Sequence, residues 1–213
     1  KYEMNPEIIF VDDGSTDGTR DIIAAYSGPL TVRLIFRQSN PGLARSVVAG
    51  AAAATCDTVV VMDADLSHSP DMIPDLLRPI TENTSDMVIG SRFVKGASTP
   101  GLSPLRRTAS VIALGAASIF TSVKDPLSGF FAISRHRLCS VQETGSGFKI
   151  ALEVLAGAEP GFRVSEVPIR FLERLEGSSK MNSMVMYEYL KQLLRIAGSR
   201  YKGNELISSL EPG

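Results

Sequence analysis

Two apolar runs in this chain each stop at a pair of carboxylates, and these runs constrain the fold more than any other feature. "EIIFVDD" covers residues 7–13 and "DTVVVMDAD" covers residues 57–65. Short, continuous runs of Ile, Val and Phe read as strands buried on both faces, as in a mostly parallel sheet covered by helices. "TVRLIFR" and "DMVIGSRF" supply two more such runs. Helical patterns lie between them: "RDIIAAY", with Thr19 or Asp17 as cap; "NPGLARSVVAGAAAAT", whose small residues suit close packing; and "PDMIPDLLRPI", with Ser69 before Pro70 as an N-terminal signal and Pro74 as an imperfection. Residues 7–94 therefore read β-α-β-α-β-α-β, an α/β pattern.

The second half is less regular. "PLRRTASVIALGAASIFTSV", "FKIALEVLAGA" and "MVMYEYLKQLLRIAG" read as helices, and "SGFFAISR" and "RVSEVPIRFLER" as strands. No repeat, low-complexity tract or linker divides the chain, so residues 1–213 are expected to form a single domain. Charge divides it where composition does not. Residues 1–91 hold 13 Asp/Glu and 6 Lys/Arg; residues 92–213 hold 10 and 16. Between Asp86 and Asp125 stand Arg92, Lys95, Arg106, Arg107 and Lys124 with no acid. Such a pattern fits either a solvated basic face or a cation-binding half (1–91) joined to an anion-binding half (92–213).

Several classes are excluded or disfavoured. No apolar stretch reaches the ~20 residues of a membrane span, and no apolar run follows a basic start as in a signal peptide. Cys56 and Cys139 belong to no CxxC or Cys/His cluster, so they are expected to be buried small apolar residues in a reducing compartment.

In an open α/β sheet, loops at the carboxyl ends of the strands line the ligand crevice. Asp12 and Asp13 thus reach the same sheet edge as Asp63 and Asp65. Alternation turns Asp63 and Asp65 to one side, with Ala64 to the other. Carboxylates crowded at one edge repel unless a cation joins them, and hard oxygen ligands suit Mg²⁺ or Mn²⁺. Asp at a strand end also caps helices and builds turns, a reading weightier for Asp12 and Asp13 than for Asp63 and Asp65. Two chemistries use an apolar strand ending in Asp-x-Asp. One is phosphoryl transfer through an aspartyl phosphate; it fits poorly here, because the motif comes third in strand order and no late acidic pair follows. The other is glycosyl transfer from a nucleotide sugar.

"VDDGSTDGT", "NPGLARSVVAG", "VVVMDADLSHSP", "DMVIGSRFVKG", "DPLSGFFAISR", "EVPIRFLERLEGSSK" and the "YEYLK" helix, in that order, resemble family 2 inverting glycosyltransferases. They are most similar to the dolichyl-phosphate (polyprenyl-phosphate) mannosyltransferase branch. The resemblance covers residues 7 to about 195 and implies a single nucleotide-sugar-binding domain of GT-A type. It also implies metal-dependent transfer of a hexose, with GDP-mannose first and UDP-glucose second as donor, to a polyprenyl or dolichyl phosphate. A non-lipid acceptor, or a binding module without turnover, is the alternative. By the same resemblance, Asp12, Asp13, Asp63 and Lys180 contact the donor. Asp63, Asp65 and Ser67 hold Mg²⁺ or Mn²⁺. Asp63, Asp65, Arg92, Arg106 and Arg174 carry the reaction, the arginines by binding phosphates. His68 reads as a local cap or supporting group rather than a ligand, and His136 as a surface residue.

A lipid acceptor implies a place at the cytosolic face of a membrane, peripheral or through a membrane-spanning partner, and nothing calls for nucleic acid. Ile112, Leu114, Ile119 and Phe120, and Val185, Tyr189, Leu193 and Ile196, are expected in the core, with interfacial docking as the alternative. The family usually opens with a strand and a nucleotide-holding turn that "KYEMNPE" lacks, so the expected sheet has its N-terminal strand missing.

Overall fold

The computed structural model describes residues 6–39, 41–100, 104–141, 149–172 and 183–208, with the side chains of 104–109, 111, 183–185 and 200–208 left aside. In chain order the elements are β1 (Glu7–Asp12), α1 (Thr19–Ala24), β2 (Thr31–Phe36), α2 (Leu43–Ala53), β3 (Thr58–Val61), α3 (Ile73–Thr81), β4 (Met87–Ser91), α4 (Pro104–Ala117), β5 (Phe131–Ser134), α5 (Arg135–Cys139), α6 (Ile150–Ala156), β6 (Val164–Pro168) and α7 (Ser183–Ser208). A 3₁₀ turn, Pro70–Met72, precedes α3. Pro74 explains the split: it sits in the first turn of α3, where its missing N–H costs nothing, and it could not continue a helix begun at Pro70. The cap of α1 is Gly18, at φ 81° and with no side-chain cap bond, rather than the expected Thr19 or Asp17; Asp17 stands one residue earlier, where its Oδ1 accepts from the Thr19 amide at 3.2 Å.

The α/β reading holds, and among the described residues the strands form two sheets. β1 and β2 pair in parallel from Glu7↔Thr31 to Asp12↔Phe36. The other sheet runs β3-β5-β4-β6. There β5 alone is antiparallel, lying between β3 and β4, while β4 and β6 pair in parallel. Alternation along β4 and β5 builds two core layers. Met87, Ile89, Phe131 and Ile133 face α2, α5 and α6, meeting Ala51, Leu138, Ile150, Ala151 and Leu155. Val88 and Ala132 turn the other way, to Phe130, Ile169 and Leu76 of α3. Burial of this extent stabilises by about 1.5–3 kcal/mol per large side chain. Gly90 permits a close approach within the sheet: a Cβ there would lie 2.9 Å from the Phe130 ring.

A third cluster joins α4, α6 and α7 through Ala117, Leu152, Tyr189, Leu193 and Ile196. The expectation of core packing thus holds for Tyr189, Leu193 and Ile196, and Leu114 and Phe120 pack against them. It fails for Ile112 of α4 and Ile119 just past its end, which are 68% and 76% exposed and stand outside the cluster that Ala113, Leu114, Ala117 and Phe120 join. The side chain of Val185 lies outside the described residues. The Tyr189 hydroxyl donates to the Ala113 carbonyl at 2.5 Å, and burial pushes its pKa up to about 12. Both cysteines are exposed, contrary to expectation. Cys56 falls in the turn between α2 and β3, and Cys139 closes α5, so neither lies on a core-facing stripe. His136 is exposed, as expected. No helix among the described residues is long and apolar enough to cross a membrane.

Candidate active site

The two acid pairs are built differently. Asp12 closes β1 and is buried; its Oδ1 accepts from the Ser15 amide at 2.9 Å and the Ser15 hydroxyl at 2.6 Å. These bonds hold its pKa below the usual carboxylate range, with help from Arg20, whose Nε is 3.7 Å from Oδ2. Asp13 reaches the start of α2, where its Oδ2 accepts from the Gly42 amide and the Ser46 hydroxyl, both at 2.7 Å. Arg37 Nη1 lies 3.2 Å from the other oxygen. Both residues therefore serve the turn and the β1–α2 junction, the role that Asp at a strand end commonly fills. One oxygen of each, Asp12 Oδ2 and Asp13 Oδ1, is buried outside any hydrogen bond to the described residues.

Asp63 and Asp65 follow β3 in a tight turn. Asp65 Oδ1 accepts from the Ser67 amide at 3.0 Å and the Ser67 hydroxyl at 2.5 Å. Leu66 between them has φ 62°, a left-handed backbone that costs a side-chain-bearing residue about 1–2 kcal/mol. Strain of this kind persists where surrounding contacts over-determine it, and it clusters at functional sites. Asp63 differs: no hydrogen bond from a described residue reaches its carboxylate. That carboxylate lies against the backbone at Gly129, where a Cβ would come within 3.3 Å of both oxygens. A half-buried carboxylate without a donor among the described residues, two residues from another acid, is the kind of oxygen ligand a hard divalent cation takes. Ser67 is fully buried and its hydroxyl is committed to Asp65. Among the described residues, no three His, Cys, Asp or Glu side chains converge as a preformed metal cluster.

His68 links this turn to the sheet. It is 3% exposed, stacks on Phe130 with centroids 4.9 Å apart and meets the Phe171 ring edge-on at 5.5 Å. The Asp63 amide donates to its Nδ1 at 3.4 Å. Burial lowers its pKa; Asp63, Asp65 and Asp125 pull it up and Arg92 pushes it down. The imidazole is thus a neutral structural wedge, in line with the supporting role expected of it. The Leu172 amide donates to the Ser67 carbonyl at 3.0 Å, tying the chain after β6 to the same turn.

Arg92 follows β4, and its guanidinium lies over Phe93 and Phe171, 5.3 and 5.5 Å from the ring centroids. Phe171 therefore touches both Arg92 and His68, which brings the basic strand end beside the acidic turn. The sequence reading passed over Asp125, which is fully buried and grips Arg92 with both oxygens at 2.8 Å. One signal was available: Asp125 is the first acid after a long stretch that carries only bases. Arg106 lies on α4 with its side chain outside the described residues, and Arg174 and Lys180 lie outside them altogether.

Comparison with known proteins gives the family and the fold. Residues 1–139 match the profile of the family described as "Glycosyl transferase family 2". A protein of Pyrococcus furiosus named dolichol-phosphate mannosyltransferase is 38% identical over 197 residues, covering 91% of this chain and 55% of that protein. A Mycosarcoma maydis protein of the same name is 38% identical over 204 residues, covering 92% of this chain and 68% of its own length. The chain thus spans little more than half of the first relative and about two thirds of the second. Among solved structures, a glucosyl-3-phosphoglycerate synthase from Mycobacterium tuberculosis, in complex with Mn²⁺, UDP and glucosyl-3-phosphoglycerate, superposes with a TM-score of 0.66 at 24% identity, covering 90% of this chain and 69% of that one. At that identity the likeness establishes the fold, of GT-A type. With the family profile matched over residues 1–139 and relatives matched over nine-tenths of its length, this chain belongs to glycosyl transferase family 2.

Proposed function

We propose that this chain acts as a single domain transferring a hexose from a nucleotide sugar to a polyprenyl or dolichyl phosphate, with inversion, and with GDP-mannose as the preferred donor. One observation carries the reading: His68, whose Nδ1 accepts from the Asp63 amide of the acidic turn, and Arg92 pack on the same ring, that of Phe171. The turn that carries acid for a cation and the guanidinium that suits an anion are thus linked through one side chain. The relatives' names supply the acceptor class.

Asp63, Asp65 and Ser67 would hold Mg²⁺ or Mn²⁺, which when bound supplies positive charge to the departing diphosphate. Asp12 and Asp13, each with an unbonded buried oxygen, and Lys180 would contact the donor. Arg92, Arg106 and Arg174 would receive the acceptor phosphate. A phosphate oxygen attacks the anomeric carbon in line, and the bond from that carbon to the diphosphate breaks, the electron pair leaving with the nucleotide. The attacking group is already anionic, so the site needs charge placement more than a strong base. The neutral, buried state of His68 suits this. Exposed Tyr187, Leu190 and Leu194 recur on α7 at helical spacing beside Lys191, which supports peripheral contact with a membrane on its cytosolic face.

The test is incubation with labelled GDP-mannose or UDP-glucose, Mn²⁺ or Mg²⁺ and a short prenyl phosphate. Labelled prenyl-phosphate hexose, lost on chelation and faster from GDP-mannose, is expected. Nucleotide binding with no product on any lipid phosphate would overturn the proposal in favour of a binding module. Transfer to a soluble acceptor alone would replace the lipid.

A further inference from the structure

We propose that Asp125 is a positioning residue of the transfer site, setting which edge of the Arg92 guanidinium meets an incoming phosphate. The inference rests on the transfer reading above, in which Arg92 receives an anion.

The geometry is a clamp on both parts of the arginine. Asp125 Oδ2 accepts from Arg92 Nε at 2.8 Å and from the Arg92 amide at 3.0 Å, while Oδ1 accepts from Nη2 at 2.8 Å. The carboxylate is itself fixed, because its own amide and that of Lys124 donate to Glu166 of β6 at 3.0 and 2.9 Å. Phe93 and Phe171 flank the guanidinium. Asp125 is fully buried and the Arg92 side chain is 16% exposed, so this arginine is not a mobile surface charge.

A guanidinium has five N–H donors. Asp125 takes Nε–H and one hydrogen of Nη2, leaving both hydrogens of Nη1 and the second of Nη2. These form the terminal edge, which can hold two oxygens of a phosphate side by side. The pair is also neutral overall. Arg92 therefore offers aimed hydrogen-bond donors rather than a free positive charge, and it discriminates by geometry more than by long-range attraction.

The rival explanation is that the pair only fastens β4 to the loop before β5. Kinetics separate the two. Asp125→Asn keeps the shape of the side chain but removes the charge that fixes the Nε edge. Orientation is lost while positive charge is unmasked. The turnover number with a short prenyl phosphate should fall about tenfold or more, with KM for that acceptor unchanged or lower. Ser128→Ala is the control for lost packing. It removes a buried hydroxyl that donates to the Gly90 carbonyl at 2.7 Å in the same loop, without touching Arg92. It should lower the melting temperature and leave both constants alone.

A second readout does not require turnover. The Arg92 Nε–H signal in ¹H–¹⁵N spectra should be protected from exchange, and should shift on titration with prenyl phosphate or inorganic phosphate. In Asp125→Asn it should lose protection and respond less. If the parent chain transfers nothing, the transfer reading falls and this signal alone decides the inference. Two outcomes would overturn it: a turnover number for Asp125→Asn within twofold of the parent or matched by Ser128→Ala, or an Arg92 signal indifferent to phosphate.

Discussion

Asp12-Asp13 and Asp63-Ala64-Asp65 look alike in sequence, each a carboxylate pair closing an apolar strand, yet the chain uses them differently. The first pair is spent on the protein: Ser15, the amide of Gly42, Ser46, Arg20 and Arg37 occupy most of its oxygens. In the second, Asp65 is closed onto Ser67, and the Asp63 carboxylate rests against Gly129 with no hydrogen bond from a described residue. Identical functional groups therefore become structural or chemical according to the donors that folding brings to them. Backbone and hydroxyl donors satisfy a carboxylate; their absence leaves it able to bind a cation.

The sharpest test of this contrast is Asp65→Asn. The amide can still accept from Ser67, so the turn should hold, while transfer should fall by about 100-fold or more through lost charge at the diphosphate. Activity assayed beside the melting temperature checks both halves. A variant that unfolds would make the second pair structural as well.

Asp13→Ala should do the reverse. It strips the partner from the Gly42 amide and Ser46 at the start of α2, and should cost about 1–3 kcal/mol in denaturant unfolding. Full stability with complete loss of transfer would invert the comparison and leave Asp13 with its donor contact alone.

The smallest effect is on pH. Hydrogen bonds from Ser15 to Asp12, Thr55 to Glu7 and Arg163 to Asp86 lower all three pKa values in the folded state. The unfolded chain then binds more protons as the medium turns acidic. Stability from these groups is complete above the ordinary carboxylate range and is lost as pH falls below it, through the lowered folded-state values. Unfolding midpoints between neutral pH and pH 3 should decline accordingly, and Asp12→Asn should flatten part of the decline. An unchanged slope would mean that the Ser15 bonds do not outlast solvent competition at this loop.

Much of this was open to reading. The β-α repeat of the first half was legible because continuous apolar runs and helical spacing report burial directly, and strands end where carboxylates begin. The "SGFFAISR" segment read as a strand, but nothing local says that β5 runs antiparallel between β3 and β4. Pairing partners are set by packing between segments far apart in sequence. The cysteines were misjudged for a related reason. Residue type gives an average preference for burial, whereas Cys56 takes its exposure from the turn after α2 and Cys139 from standing at the last position of α5. Asp125 was missed because its meaning lies wholly in its partner, 33 positions away.

What the sequence alone determined is chemical inventory and order: which strand ends carry acid, where bases gather without acid, and the family to which those motifs belong. Only the tertiary structure decided which of those groups are already satisfied. Hydrogen bonding and desolvation act over a few ångströms in space, and neither composition nor spacing encodes the distance from Asp13 to Gly42, from Arg92 to Asp125, or from His68 to the two phenylalanines that enclose it.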